Sequence, residues 1–144
     1  MMEKLKFATL SRALGLEGED LLFKTKCLFD RVYQYWSSSR VLNQQITFEF
    51  SNNELEITIP QCAFRCFSES KIRFINNKPI CEITFYSNKD EKNKAFVVFH
   101  LDNDNVLTIP ALDDGPEIDI DYAKEVENHF MDELVQAASR ANLV

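Results

Sequence analysis

The sequence predicts an α+β domain: an antiparallel sheet of about six strands, packed by two N-terminal helices and one C-terminal helix. Three observations carry this reading. Apolar residues recur at helical spacing through residues 3–38. From Gln44 to Pro110 the period changes to two. After an acidic breaker around Gly115-Pro116, helical spacing returns to the end of the chain. With 144 residues and 45% hydrophobic side chains, the chain has the length and composition for one core, so a single domain over 1–144 is expected.

The elements follow in order. "EKLKFATLSRAL" sets Leu5 or Phe7, Leu10 and Leu14 on one helical stripe, and Gly15 stands where a helix C-cap is expected. A longer helix is predicted from Glu19 to Ser38, with a stripe of Leu21, Thr25, Leu28, Phe29, Val32, Tyr35 and Trp36. Glu19 and Asp20 suit the positive end of its dipole. "ITFEF" and "LEITIP" alternate around "SNNE", which is a hairpin pattern. "KIRFI" turns through "NNKP" into "ICEITFY", where Cys81, Ile83 and Phe85 alternate with Glu82, Thr84 and Tyr86. "AFVVFHL" is apolar on both faces and reads as a covered central strand. "DNDN" then turns into "VLTIP". The hairpins "FEFSNNELEITIP" and "VFHLDNDNVLTIP" look alike because few residue types suit a turn and a strand end. "ALDDGPEIDIDY" forms an acidic crossover, with Asp119 or Asp121 as N-cap of a last helix, "YAKEVENHFMDELVQAASRA". Val126, Phe130, Leu134, Ala138 and Ala141 share its apolar face, with Met131 and Val135 beside them.

The pair in "QCAFRC" resembles a metal or redox motif, but strand geometry argues otherwise. On a straight strand at about 3.3 Å per residue, Cys62 and Cys66 stand roughly 13 Å apart, with Phe64 on the same face. That is too far for a disulfide or a shared zinc ion. Both are read as core thiols. Four cysteines (Cys27, Cys62, Cys66 and Cys81) fit free thiols in a reducing compartment. No apolar run reaches the roughly 20 residues that span a bilayer, and the start lacks the continuous apolar core of a signal peptide. A soluble, cytoplasmic protein is expected.

Charge is uneven. Residues 1–101 hold 14 Lys/Arg against 12 Asp/Glu, whereas residues 102–144 hold 2 against 11, so the last third carries a net −9. That argues against direct nucleic-acid binding, which needs a basic patch for phosphates. It suits a basic protein partner steered by the acidic field.

Catalytic motifs are weak or absent. "DNDNV" matches the first acidic positions of a calcium loop, Asp102 and Asp104, but Val106 and Leu107 fill positions that need a ligand and a glycine. It reads as a hairpin turn. Glu125, His129 and Glu133 are spaced by four on one helix stripe, a set able to hold a metal or move protons, and equally an ordinary solvated face. His100, in an apolar strand, reads as a hydrogen-bonded core histidine. There is no phosphate loop, G-x-S-x-G elbow or H-E-x-x-H. No cofactor or metal is called for.

The segments "FATLSRALGL" with "EDLLF", and the end "ENHFMDELVQAASRA", resemble class I type III secretion chaperones. The resemblance implies a small acidic dimer that holds an extended partner segment on its sheet. That family places a helix between its strands, where this sequence continues the sheet, and its first helix leads directly into a strand.

The leading expectation is a non-enzymatic protein-binding module, of inhibitor, immunity-type, adaptor or secretion-chaperone kind. It would engage a basic partner through Asp113, Asp114, Glu117, Asp119, Asp121, Glu125, His129, Asp132 and Glu133, and a homodimer is among the expected assemblies. The competing expectation is a helix-grip or cystatin-like domain with a phenylalanine-lined cavity that binds or converts a small molecule, with His100 or a tyrosine pointing inside.

Overall fold

Asparagine does in this chain what glycine does in most. No glycine has a positive φ, whereas Asn52-Asn53 (51° and 63°) and Asn76-Asn77 (53° and 62°) occupy the left-handed region. Each pair is the two-residue loop of a hairpin, because left-handed backbone at both positions matches the twist of the flanking strands. The structure is a computed structural model that describes residues 4–38, 45–87, 94–112, 115–121 and 125–144. Within them lie seven strands: β1 (Thr47–Ser51), β2 (Glu54–Ile59), β3 (Phe64–Ile75), β4 (Lys78–Tyr86), β5 (Ala95–Leu101), β6 (Val106–Thr108) and β7 (Ile118–Asp119). They form one antiparallel sheet in sequence order, β1 through β7. The register pairs Ser51 with Glu54, Ile59 with Phe64, Ile75 with Lys78, and Leu101 with Leu107.

The sheet has one strand more than the expected six, and one strand is longer than expected. "CAFRC" and "KIRFI" are not separate strands, because "SES" stays extended and joins them into the twelve-residue β3. The acidic crossover "EIDID" contributes the short β7, whose Ile118 faces Leu107.

The two expected N-terminal helices form one continuous helical run. α1 (Phe7–Ala13) passes through a π-helical turn (Leu14–Gly18) into α2 (Glu19–Ser37). Gly15 does not cap α1. Gly18 is buried, and a Cβ there would stand 3.6 Å from the Ile72 side chain, ordinary contact, so the helix lies against β3 at this point. The wide turn inserts a residue without breaking the helix. α2 then buries Leu21, Thr25, Leu28, Phe29 and Val32, as the stripe predicts, while Tyr35 stays exposed. The closing helix, α3 (Val126–Arg140), buries Val126, Phe130, Met131, Leu134, Ala137 and Ala138. Neither Asp119 nor Asp121 caps it. Glu125 holds that position with left-handed backbone and no side-chain cap bond, because Asp119 Oδ1 is taken up locally by the Asp121 amide, at 2.9 Å. The expected start of this helix at Tyr122 lies outside the described residues.

α2 and α3 pack on one face of the sheet. Phe29, Phe85, Phe99 and Phe130 meet there edge-on or tilted, with ring centroids 4.9–6.3 Å apart. Such pairs add about 0.5–1.5 kcal/mol each beyond the area they bury. The core draws residues from α2, α3 and all seven strands or the turns between them. The other face is exposed over β1 and half-buried over most of β2. β5 is therefore covered on one side only: Val97, Phe99 and Leu101 are buried, while Phe96, Val98 and His100 are half-buried. No described helix is long and apolar enough to cross a membrane.

Candidate functional site

Of the nine acidic and histidine positions singled out from the sequence, the seven that the structure describes are spread over β7, the residues flanking it and α3 with its N-cap. Asp113 and Asp114 lie outside the described residues. Glu117 is exposed ahead of β7. Asp119 and Asp121 act on their own loops: Asp121 Oδ2 accepts from Asn105 Nδ2 at 2.5 Å, tying the β5–β6 turn to the end of β7. Glu125 and His129 are exposed on α3, Glu133 is half-buried, and Asp132 is exposed beside an apolar cleft. Among the described residues, no group of three or more His, Cys, Asp or Glu side chains is placed to hold a metal ion, and the stripe Glu125, His129 and Glu133 forms none.

The calcium-like "DNDNV" is a turn. Asp102 Oδ1 accepts from the amides of Asp104 (2.9 Å) and Val106 (3.0 Å), and Asn105 takes φ 64°. That wiring uses the carboxylate within the loop.

The cysteines divide. Cys66 is buried on β3, and burial pushes its thiol up to about 12, with the nearby Glu56 charge acting the same way and a backbone bond at Ile57 against it. Cys81 is buried and also raised by burial, partly offset by the Thr25 hydroxyl 3.1 Å from its sulfur. Both are core thiols, as expected. Cys62 is not. Pro60 cannot donate to the ladder, so Pro60–Cys62 forms a 3₁₀ turn, and Ala63 takes φ 51° before β3 begins at Phe64. Cys62 is thereby turned out to solvent, as is Cys27.

Two ion-pair centres escaped the sequence reading. The first joins the helices: Glu127 is buried on the inner side of α3 and pairs with Arg31 of α2, whose Nη1 also donates to the Ile120 carbonyl at 3.1 Å. The second lies on the outer sheet face. Register places Lys71, Glu82, His100 and Thr108 in one row across β3, β4, β5 and β6. Glu82, only 8% exposed, has Arg73 Nη1 at 2.8 Å, His100 Nε2 at 3.2 Å and Lys71 Nζ at 3.7 Å. Burial pushes its carboxyl upward, but the hydrogen bonds and charges of Arg73 and His100 outweigh it and hold the group below its ordinary value. His100 is thus hydrogen-bonded as expected, but on the outer face and not in the core. A cation and an anion 60 or more residues apart, or an acid inside an alternating strand, leave no local signal. Only the strand register reveals the second set.

Three of the concavities among the described residues bear on a site. The largest, about 780 Å³, lies between α1, the β3–β4 turn and the β5–β6 turn, with Arg12, Glu17, Lys78, His100 and Thr108 among its lining. A second, about 150 Å³, is bounded by Phe23, Cys27 and Ile120. A third, about 240 Å³, sits between the end of α2, β1 and α3. Trp36, Ile46, Phe48, Met131 and Val135 line it, with Asp132 and Gln136 at one side. The Trp36 Nε1–H there is buried and has no hydrogen-bond partner. Beside it, β1 is an edge of the sheet and pairs only with β2 among the described residues. The four core phenylalanines line none of the three.

A scan against protein-family models, a search of curated proteins and a search of solved structures each found no match. The likeness to class I type III secretion chaperones therefore rests on the quoted segments alone. Among the described residues, β1 to β7 run without an α-helix between them.

Proposed function

We propose that this protein is a non-enzymatic binding module that takes an extended, basic and apolar segment of a protein partner along the free edge of β1. The observation that carries the reading is the buried, unpaired indole N–H of Trp36 in an apolar cleft beside that edge. An orphan donor in an apolar wall costs about 1–3 kcal/mol, and an incoming carbonyl removes that cost. An added strand supplies such carbonyls at every second residue, hydrogen-bonds the edge, and drops an apolar side chain into the cleft. Glu49, exposed on β1, and Asp132, beside the cleft, favour lysine or arginine flanking that anchor.

Trp36 is the single tryptophan, so its emission reads the cleft directly. The probe is a synthetic peptide with alternating valines and a lysine at each end. Expected is a saturable emission change, weakened by salt, with loss of solvent exchange at β1 amides. Val135→Glu, at an exposed position, fills the cleft with charge and abolishes the response. Unchanged emission and exchange, or equal binding by the Val135→Glu protein, overturns the proposal.

Ligand binding in a helix-grip interior has less support, since the phenylalanines meant to line a cavity pack on one another. A small-molecule reading moves instead to the groove beside His100 and Thr108.

A further inference from the structure

Apart from Arg12 in its last turn, α1 lacks the devices that hold a helix in place by itself. Its N-cap, Lys6, makes no side-chain cap bond, its first turn has no acidic residue, and none of its residues is buried. Lys4 and Lys6 stand at the end where the helix dipole is positive, which is unfavourable. Yet it carries an apolar stripe. Phe7, Leu10 and Leu14 follow i, i+3, i+7 spacing, and Phe7 is 83% exposed. Among the described residues the stripe is only partly covered: Leu10 is half-buried, Leu14 is 39% exposed and Phe7 stands clear, so something else completes the cover.

The charges say what does. Residues 4–13 hold three cations, Lys4, Lys6 and Arg12, and no anion. Residues 14–20 hold three anions, Glu17, Glu19 and Asp20, and no cation. These blocks lie side by side along one rod. A parallel copy sets like on like. An antiparallel copy, with its two-fold axis near the boundary of the blocks, sets each basic block on the partner's acidic block and each apolar stripe on the other. The face is complementary to itself, as a two-fold interface requires.

We infer that two copies of this protein pair through their N-terminal helices in antiparallel orientation, with Phe7, Leu10 and Leu14 as the seam and the residue 4–12 and 17–20 charge blocks as the clasp. This assembly is independent of the β1 cleft, which lies at the other end of α2, near Trp36. At about 1.5 Å per residue, the run from Phe7 to Asp20 spans roughly 20 Å, a short seam, so the dissociation constant falls in the range of about 1–100 μM.

The test is sedimentation velocity on the full chain across a concentration series, at low and at about 0.5 M salt, with circular dichroism to verify each fold. The wild type is expected to dimerise and to weaken in high salt. Phe7→Glu, at a position that supports no core, raises the dissociation constant at least about tenfold. K4E/K6E and E17K/E19K, each alone, weaken self-association by a similar factor, because like blocks now meet. Mixing those two variants restores a one-to-one dimer, since the mainly acidic helix (only Arg12 left as a cation) fits the mainly basic one (only Asp20 left as an anion). A monomeric wild type at about 500 μM, well above that range, overturns the inference. So does a dimer indifferent to Phe7→Glu and to both charge variants, which places the contact on another face. A peptide response at Trp36 that persists in monomeric Phe7→Glu protein keeps the two proposals separate.

Discussion

Replacing Phe130 with alanine tests whether the phenylalanines fill the core or frame a cavity. Phe130 is fully buried on α3, with its ring 4.9 Å from Phe99, 5.9 Å from Phe85 and 6.3 Å from Phe29. Truncating a buried phenylalanine costs about 3–5 kcal/mol, through lost transfer energy and the void left behind. Three aromatic partners lose their pairing at once, at about 0.5–1.5 kcal/mol each, which places this site near the upper end of that range. The neighbours are anchored on three elements, α2, β4 and β5, so the void collapses poorly. A loss of about 4 kcal/mol is expected, and at about 3 °C per kcal/mol the midpoint falls by roughly 12 °C. Phe130→Leu keeps most of the volume and is expected to lose less than half as much. The assay is urea unfolding, followed by circular dichroism and by Trp36 emission. Benzene adds a second readout: it stabilises the Phe130→Ala protein by entering the new void, and leaves the wild type unchanged. A loss below about 1 kcal/mol, or a wild type stabilised by benzene, refutes the packed-core reasoning and returns the interior cavity to consideration.

Three further outcomes are expected. Glu127→Gln removes the charge that Arg31 faces. Because the Arg31 side chain is 46% exposed, the cost is near the lower end for a charged hydrogen bond, about 1–2 kcal/mol by urea unfolding, and Arg31→Met with Glu127→Met recovers most of it. Glu82 has a folded value below its ordinary 4.5, so its contribution is fully present above that pH and is lost as pH falls through the lower folded value. The stability gap between wild type and Glu82→Gln is therefore expected to close in acid, and a gap that widens in acid contradicts the sign. Of the four thiols, Cys27 and Cys62 are expected to react with a thiol reagent in the native protein, and Cys66 and Cys81 only on unfolding, so titration of four native thiols contradicts the burial.

Periodicity made the elements legible, because each depends on neighbours within a few residues. The α2 stripe, the α3 stripe and both asparagine hairpins are written in local chemistry, and the structure carries them nearly unchanged. Misreadings arose where a local signal met a longer-range demand. Gly15 looks like a cap, but the helix continues past it through a π turn from Leu14 to Gly18, where the buried Gly18 lies against β3. "SES" looks like a break, but Ser68 is buried and accepts the Leu55 amide at 2.8 Å, so the strand gains by staying extended. Cys62 follows the alternation of its strand on paper, yet Pro60 ends the ladder before the strand begins.

The candidate site was less legible for a related reason. Its parts come from the end of α2, the sheet edge and the middle of α3, some ninety residues apart, and only Asp132 had been singled out. An acidic tally counts charges but not their direction. Glu127 belongs to that tally and spends its charge inside, on Arg31, whereas Asp121 spends its own on Asn105. What remains for a partner is the smaller set that no internal group has claimed. The same logic applies to apolar residues. Leu21 and Phe7 belong to equally regular stripes, but Leu21 meets a sheet and Phe7 meets none. A periodic stripe states that something must cover it, and only the three-dimensional extent of the sheet decides whether that cover lies in the same chain.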